Sequence, residues 1–258
     1  METKELIRSI ITLSEKELRR FLRIWVQTLV PPAVTTSLYF VIFGSLIGPR
    51  IGAMDGFDYI QFMIPGLIML AVITAAYSNV VSSFYGVKFQ RAIEELLISP
   101  MPNWAILLGY IVGGVARGVI IGVIVFLVSL IFYPNFEIAN YGLTVLVLFL
   151  TSIMFSLMGF INAVYADSFD AIAVIPTFVL TPLIYLGGVF YSINILPDIW
   201  RNISLANPML YVVNTFREGM LGSSDVSIPL ALGMMAGFII LFTTICLYLL
   251  HKGIGIRQ

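Results

Sequence analysis

Six stretches of this chain are long and apolar enough to cross a lipid bilayer, which leaves few folds open. The hydrocarbon core is ~30 Å thick and a helical residue rises ~1.5 Å, so a span needs ~20 mostly apolar residues. Residues 24–47, 59–87, 103–133, 141–166, 171–191 and 228–250 meet that requirement. They are continuously apolar and do not alternate in the ~10-residue strands of a membrane β-barrel. The fold class expected is therefore an all-α integral membrane protein with six transmembrane helices, whose backbone polar groups are satisfied within each helix. Composition agrees: 59% of the 258 residues are hydrophobic and 11% charged, against roughly 25% charged in soluble domains. With a formal charge of zero, no global excess points to nucleic acid, and the partner implied is membrane lipid.

Orientation follows from lysine and arginine, which concentrate on the cytoplasmic side. With the N-terminus inside, the cytoplasm holds ten of them: Lys4, Arg8, Lys16, Arg19, Arg20, Arg23, Lys88, Arg91, Lys252 and Arg257. The outside holds Arg50, Arg201 and Arg217, and Arg117 falls inside a span. Both termini are thus expected in the cytoplasm. Residues 1–23 are expected to form an interfacial helix, 24–250 the six-span bundle and 251–258 a cytoplasmic tail, all within one transmembrane domain. The first 23 residues are charged before any long apolar run, unlike a cleavable signal peptide, so the first span is expected in the mature protein.

Leu6, Ile10 and Leu13, with Ile7, Ile11 and Leu18, recur at helical spacing opposite Glu15, Lys16 and Arg19, the pattern of an amphipathic helix lying in the membrane surface. Pro31-Pro32 favour either a kink or break in the first span or a bent, uninterrupted helix. The third span would be ~46 Å long as a helix. Its first part is expected to project into the cytoplasm, which would bring Arg117 to the inner boundary, where it can snorkel. Gly114, Gly118 and Gly122 form a GxxxGxxxG ridge suited to close helix packing, within the chain or between subunits.

Chemistry-bearing motifs are scarce. There is no phosphate-binding loop and no HExxH, and the sole histidine, His251, ends the last helix. The chain is expected to have no catalytic or metal site and no ATPase of its own. A single Cys246 excludes an intrachain disulfide and reads as packing. No Asp or Glu falls well inside a span, Asp167 and Asp170 bracketing a turn, which argues against a proton- or sodium-coupled carrier. The driving energy is expected from elsewhere. The cytoplasmic connection KFQRAIEELLISPMP places Phe89, Ile93, Leu96 and Leu97 on one helical face, with Arg91 and Glu95 an i,i+4 pair and Glu94 between them. Such a helix either docks into a soluble partner or lies on lipid headgroups. Thr74, Ser78 and Ser82, and likewise Ser152, Ser156 and Asn162, are polar residues within spans. They either line a substrate path or hydrogen-bond between helices.

The stretch LANPMLYVVNTFREG is too apolar for a loop and too polar for a span. Pro197 suits the first turn of one short helix. Asn207-Pro208 suits the N-cap and first turn of a second, and Gly222 its stop. The second helix would be ~21 Å long, too short to cross. Met209, Val212, Val213, Phe216 and Met220 share a face, so a re-entrant outer hairpin between spans five and six is expected. LANP would form its buried turn, and Arg217-Glu218 would return toward the outer headgroups.

With these residues in view, the segment LIYLGGVFYSINILPDIWRNISLANPMLYVVNTFREGMLG resembles the C-terminal signature of the type-2 permeases of ATP-binding-cassette (ABC) exporters. The resemblance rests on Gly187-Gly188, Leu196-Pro197, Asn207-Pro208 and Arg217 in that order, and on Arg91 through Pro100 as the family's coupling region. It implies a subunit that pairs with a second copy of itself in the bacterial inner membrane. Two ABC ATPase subunits, which carry the ATP and Mg, would bind its cytoplasmic face. It further implies coupling through residues 6–20 and 88–99, including Phe89, Arg91, Ile93, Glu94 and Glu95. The outer gate would comprise Pro197, Asn207, Pro208, Arg217 and Glu218. An ion-coupled carrier and a non-transporting membrane anchor are the alternatives.

Overall fold

A computed structural model describes residues 3–93 and 98–255. Helix α1 (Thr3–Arg23) turns at Ile24 into α2 (Trp25–Tyr39), which continues through a π-helical stretch, Phe40–Ile47, to α3 (Gly48–Ile51). A small antiparallel hairpin follows, β1 (Ala53–Met54) and β2 (Phe57–Asp58), with Ala53 opposite Asp58. Then come three long helices: α4 (Tyr59–Phe89), α5 (Asn103–Phe132) and α6 (Tyr141–Tyr165). Helix α7 (Ala171–Ile175) runs through a π-helical stretch, Pro176–Leu180, into α8 (Thr181–Tyr185). Two short helices, α9 (Asp198–Leu205) and α10 (Pro208–Leu221), precede α11 (Ile228–Lys252). The chain is an all-α membrane protein apart from the β1–β2 hairpin.

Among the described residues, five helices have the length and apolarity to cross a membrane: Trp25–Ile51, Tyr59–Phe89, Asn103–Phe132, Tyr141–Tyr165 and Ile228–Lys252. The fifth expected span is shorter in the structure than in the sequence. Its continuous helix covers Ala171–Tyr185, ~22 Å of rise. Beyond it the backbone is irregular, and Gly187, Gly188, Val189, Ser192 and Ile193 are buried in protein, the condition under which non-helical backbone is tolerated at membrane depth. Gly188 has φ +76°, a left-handed conformation that favours glycine.

Helix α4 is the hub, packed on α5, α6 and α10. The GxxxGxxxG ridge of α5 serves this intrachain packing. A Cβ at Gly114 would collide with Ser156 Oγ, one at Gly118 would lie 2.7 Å from Ser152 Oγ, and one at Gly122 would lie 3.0 Å from Val72 Cγ2. Phe84, Tyr110 and Phe160 fill the space between the same three helices, with the Phe84 and Phe160 ring centroids 4.2 Å apart.

Helix α1 does not simply rest on a lipid surface. Leu13, Glu17 and Phe21 are buried, and the helix packs along the first turns of α5, with Leu13 against Gly109 and Glu17 against Gly113. The part of α5 expected to project is therefore sheathed by α1. Ile7 and Ile11, on the expected apolar face, stay exposed. The break between α1 and α2 falls at Ile24 and not at the prolines, which lie inside α2. The Thr28 hydroxyl donates to the Phe21 carbonyl at 3.1 Å, answering an acceptor at the end of α1 that the helix no longer continues to pair.

A candidate transport cavity and the segments around it

Along α4, most of which is buried between its two ends, Leu70, Ala71, Thr74, Ser78, Ser82 and Gly86 keep accessible surface, and all but Ala71 are spaced by four. Residues four apart lie close to one face of a helix, so these form a single narrow strip, ~24 Å long by the helical rise. The strip is polar at Thr74, Ser78 and Ser82. Their hydroxyls donate to the Leu70 (2.8 Å), Ala75 (3.3 Å) and Ser78 (2.7 Å) carbonyls, which leaves oxygen lone pairs facing outward.

The middle of the strip opens on a cavity of 320 Å³. Helix α2 contributes Pro31, Pro32, Thr35, Thr36 and Tyr39, and α4 contributes Leu70, Thr74 and Ser78. Arg117 and Ile121 of α5 and Thr181 and Tyr185 of α8 complete the wall. The Tyr39 and Tyr185 hydroxyls meet at 3.2 Å across it. Arg117 lies one turn beyond Gly113, which meets Glu17 of α1, and it faces the cavity beside Gly118, which packs on Ala76 of α4.

The other candidate path residues lie elsewhere. Ser152 and Ser156 are fully buried against the glycine ridge of α5. Asn162 donates from Nδ2 to the Ile172 carbonyl at 3.0 Å, fastening the start of α7. Of the six polar candidates, Thr74 and Ser78 line the cavity and Ser82 extends the strip toward α1.

At that end lies a polar cluster that the sequence pattern did not single out. Glu17 is wholly buried. It accepts from Ser83 Oγ at 2.8 Å and pairs with Arg20 at 3.3 Å. Arg20 also donates to the carbonyl and side-chain oxygens of Asn79, both at 2.8 Å, and reaches Ser82 Oγ at 3.5 Å. The signal was present: Leu13, Glu17 and Phe21 are spaced by four, so a carboxylate sits in the middle of a buried face. Alongside, Lys88 Nζ donates to the Val164 and Ala166 carbonyls, at 2.7 and 2.8 Å, a cationic cap on α6.

The coupling segment is not one helix. It stops at Phe89, and Arg91 adopts φ +59° in the turn that follows, a strained value for a residue with a side chain. Phe89 and Ile93 therefore do not share a face. Phe89 is exposed and packs against Phe169, with ring centroids 5.0 Å apart, whereas Ile93 is 2% exposed and part of the core. Glu94, Glu95, Leu96 and Leu97 lie outside the described residues, and with them the Arg91–Glu95 pair.

At the opposite end, α9 and α10 follow the expected turn chemistry. Asn207 caps α10, its Oδ1 accepting from Met209 N at 3.0 Å, and its Nδ2 donates to the Leu183 carbonyl of α8 at 2.6 Å. Pro208 occupies the first turn and Gly222 ends the helix at φ +74°. Pro197 sits one residue earlier than expected, at the cap of α9.

Helix α10 itself departs from the expectation of a lipid-dipped face. Met209, Val212, Val213, Phe216 and Met220 are buried, and the helix packs on α4 and α6. Its last carbonyls, Gly219 and Met220, accept from Asn140 N and Ala139 N at 2.7 and 3.1 Å. Arg217 does not return to headgroups. It is 1% exposed, its Nη2 donates to the Gly188 carbonyl and its Nη1 to Asn214 Oδ1, and its guanidinium lies 3.9 Å from the Phe62 ring centroid. The physical reason is local: a glycine turn and a ring face supply what headgroup oxygens would have supplied. Glu218, next in sequence, is half-buried. Outside this, Asp225 accepts from Asn194 Nδ2 at 2.8 Å and Ser192 Oγ at 3.3 Å, tying the loop after α10 to the loop after α8. Helix α9 carries the exposed apolar side chains, Ile199, Trp200 and Ile203.

Comparison with known proteins agrees with this architecture. The family model described as ABC-2 type transporter matches residues 8–221. The chain is 54% identical over 243 residues to the inner membrane transport permease YadH of Escherichia coli K12, covering 94% of each protein. It is 24% identical over 205 residues to nodulation protein J of Rhizobium leguminosarum bv. viciae, covering 79% of this chain and 78% of that protein. A helical membrane bundle, a hydroxyl-lined cavity and these matches lead to one statement: the chain belongs to the ABC-2 type transporter family, as a membrane permease subunit.

Proposed function

We propose that two copies of this chain form the membrane half of an exporter, energised by two separate ATPase subunits that hold the ATP and Mg. The observation that carries the reading is the polar strip of α4, which runs from the cavity to the Glu17–Arg20 cluster and so joins a binding space to the cytoplasmic helix α1. Movement of α1 by a partner would act directly on the helix that lines the path. The lysine and arginine bias supports cytoplasmic termini, and the irregular fifth crossing, α7 through Ile195, supports a sixth passage of the membrane.

In this reading the ATPase contacts α1 and the surface carrying Phe89 and Arg91, with Ile93 as its anchor in the core, and the coupling segment also includes Glu94 and Glu95. The unit of Pro197, Asn207, Pro208, Arg217 and Glu218 is the outer gate, with α9 in the outer leaflet and α10 wedged in the bundle. Substrate moves outward from the cytoplasm or inner leaflet along Thr74, Ser78 and Ser82. Among the described residues that line the cavity there is no Asp or Glu, the group an ion-coupled cycle would use there.

The test is reconstitution. The chain is co-purified with its ATPase and placed in vesicles. The ATPase rate should depend on the permease and should fall when Phe89 and Arg91 are changed to Asp and Glu. Gradient-driven transport by the permease alone would replace this reading with a secondary carrier.

A further inference from the structure

Among the described residues, Arg117 is the one charged side chain on the cavity wall. Its Nε is buried with no hydrogen-bond partner, and the ion pairs among the described residues, Arg19–Glu15 and Arg20–Glu17, do not include it. Two other guanidinium groups, one wholly buried and one partly exposed, behave differently. Arg217 has a carbonyl, an amide oxygen and an aromatic face, and Arg20 has a carboxylate and both oxygens of Asn79. A cation on a cavity wall inside a helical membrane bundle, with no ion-pair partner among the described residues, is costly and marks a candidate functional site. The planar guanidinium fork matches two oxygens of a phosphate, sulfate or carboxylate.

The rest of the wall says what else the ligand carries. Leu67, Leu70, Ala71 and Ile121 give an apolar side, and 320 Å³ is at the lower end of small-molecule sites, enough for a headgroup and the start of a chain. Because the Thr74 and Ser78 protons already serve backbone carbonyls, these hydroxyls offer acceptors to donor groups on the same headgroup. We infer that the cavity binds an amphiphile through an oxyanion headgroup seated on Arg117, with its apolar part on α4 and α5. This rests on the permease reading and adds the chemical class of its ligand.

The test uses the full chain in neutral dodecyl maltoside micelles, with Ser78→Cys as reporter and Cys246→Ala to remove the native thiol. N-ethylmaleimide alkylation of the reporter is timed with dodecyl phosphate, dodecyltrimethylammonium or inorganic phosphate added. Dodecyl phosphate should slow alkylation about tenfold at a mole fraction where the cationic amphiphile has no effect. Arg117→Gln should abolish that difference and Arg117→Lys should keep part of it, which preserves the test if the Gln variant does not fold. Equal protection by both amphiphiles, protection that persists in Arg117→Gln, or equal protection by inorganic phosphate alone would overturn the assignment. No ATPase is present in this assay, so such a result removes the anion site and leaves ATPase-driven transport to its own experiment.

Discussion

Arg217 donates from Nη2 to the Gly188 carbonyl at 2.5 Å, so a cation near the end of α10 holds the glycine turn that ends α8. Two parts of the outer signature, 29 residues apart, are thus one structural unit. Removing one partner of a buried charged contact leaves the other unanswered and costs ~3–5 kcal/mol. Arg217→Ala should lower the unfolding free energy in detergent by about that amount. Arg217→Lys should recover less than half, because a single ammonium does not reproduce a fork that bonds two oxygens and covers a ring. An unchanged midpoint in Arg217→Ala would refute the latch.

Asn207 uses both ends of its amide, one as a cap and one as a tie to Leu183. Asn207→Ser keeps a capping oxygen and loses the tie, whereas Asn207→Ala loses both. Each lost interaction is worth ~1 kcal/mol. Hydrogen exchange at the Met209 amide should therefore rank wild type slowest, Ser intermediate and Ala fastest. Equal exchange in the Ser and Ala variants would mean that the cap contributes nothing.

The glycine ridge of α5 makes a paired prediction. Gly114→Ala places a methyl group against Ser156 Oγ, and overpacking of this kind costs ~1–3 kcal/mol. Adding Ser156→Ala should restore part of the loss, which a double-mutant cycle measures as coupling. Gly86→Ala meets open space and should be neutral or stabilising by up to ~1 kcal/mol. Strictly additive single effects at Gly114 and Ser156 would contradict the contact.

Glu17 fixes α1 to the bundle through Ser83 of α4 and steadies Arg20, which donates to Asn79 of the same helix. Glu17→Ala should free α1, seen as at least tenfold faster alkylation of a Leu13→Cys reporter, which is buried in the native packing. Glu17→Gln retains an acceptor for Ser83 and should fall between. If α1 transmits the work of the ATPase, transport should fail in Glu17→Ala while ATP hydrolysis by the partner persists.

Much of the architecture was legible in the chain. Apolar run length marked the spans, because lipid supplies no hydrogen bonds and the backbone must satisfy itself. Asn207, Pro208 and Gly222 announced the limits of α10, because caps and left-handed stops depend on local chemistry. The candidate site was legible in part. Spacing by four found Thr74, Ser78 and Ser82, yet it found Ser152 and Ser156 by the same rule, and these pack against glycines.

The sequence by itself marked the apolar runs that become long helices, the limits of α10, and the family to which the chain is similar. Tertiary structure alone decided what each apolar face meets. Lipid tails and neighbouring side chains are equally apolar, so periodicity does not distinguish a helix with an exposed apolar face such as α9 from a wedged one such as α10. The same limit hid the charged residues' roles. Glu17, Arg117 and Arg217 look alike as charges in or beside apolar runs, and only the neighbours brought in from distant segments separate a pin, an open cation and a latch.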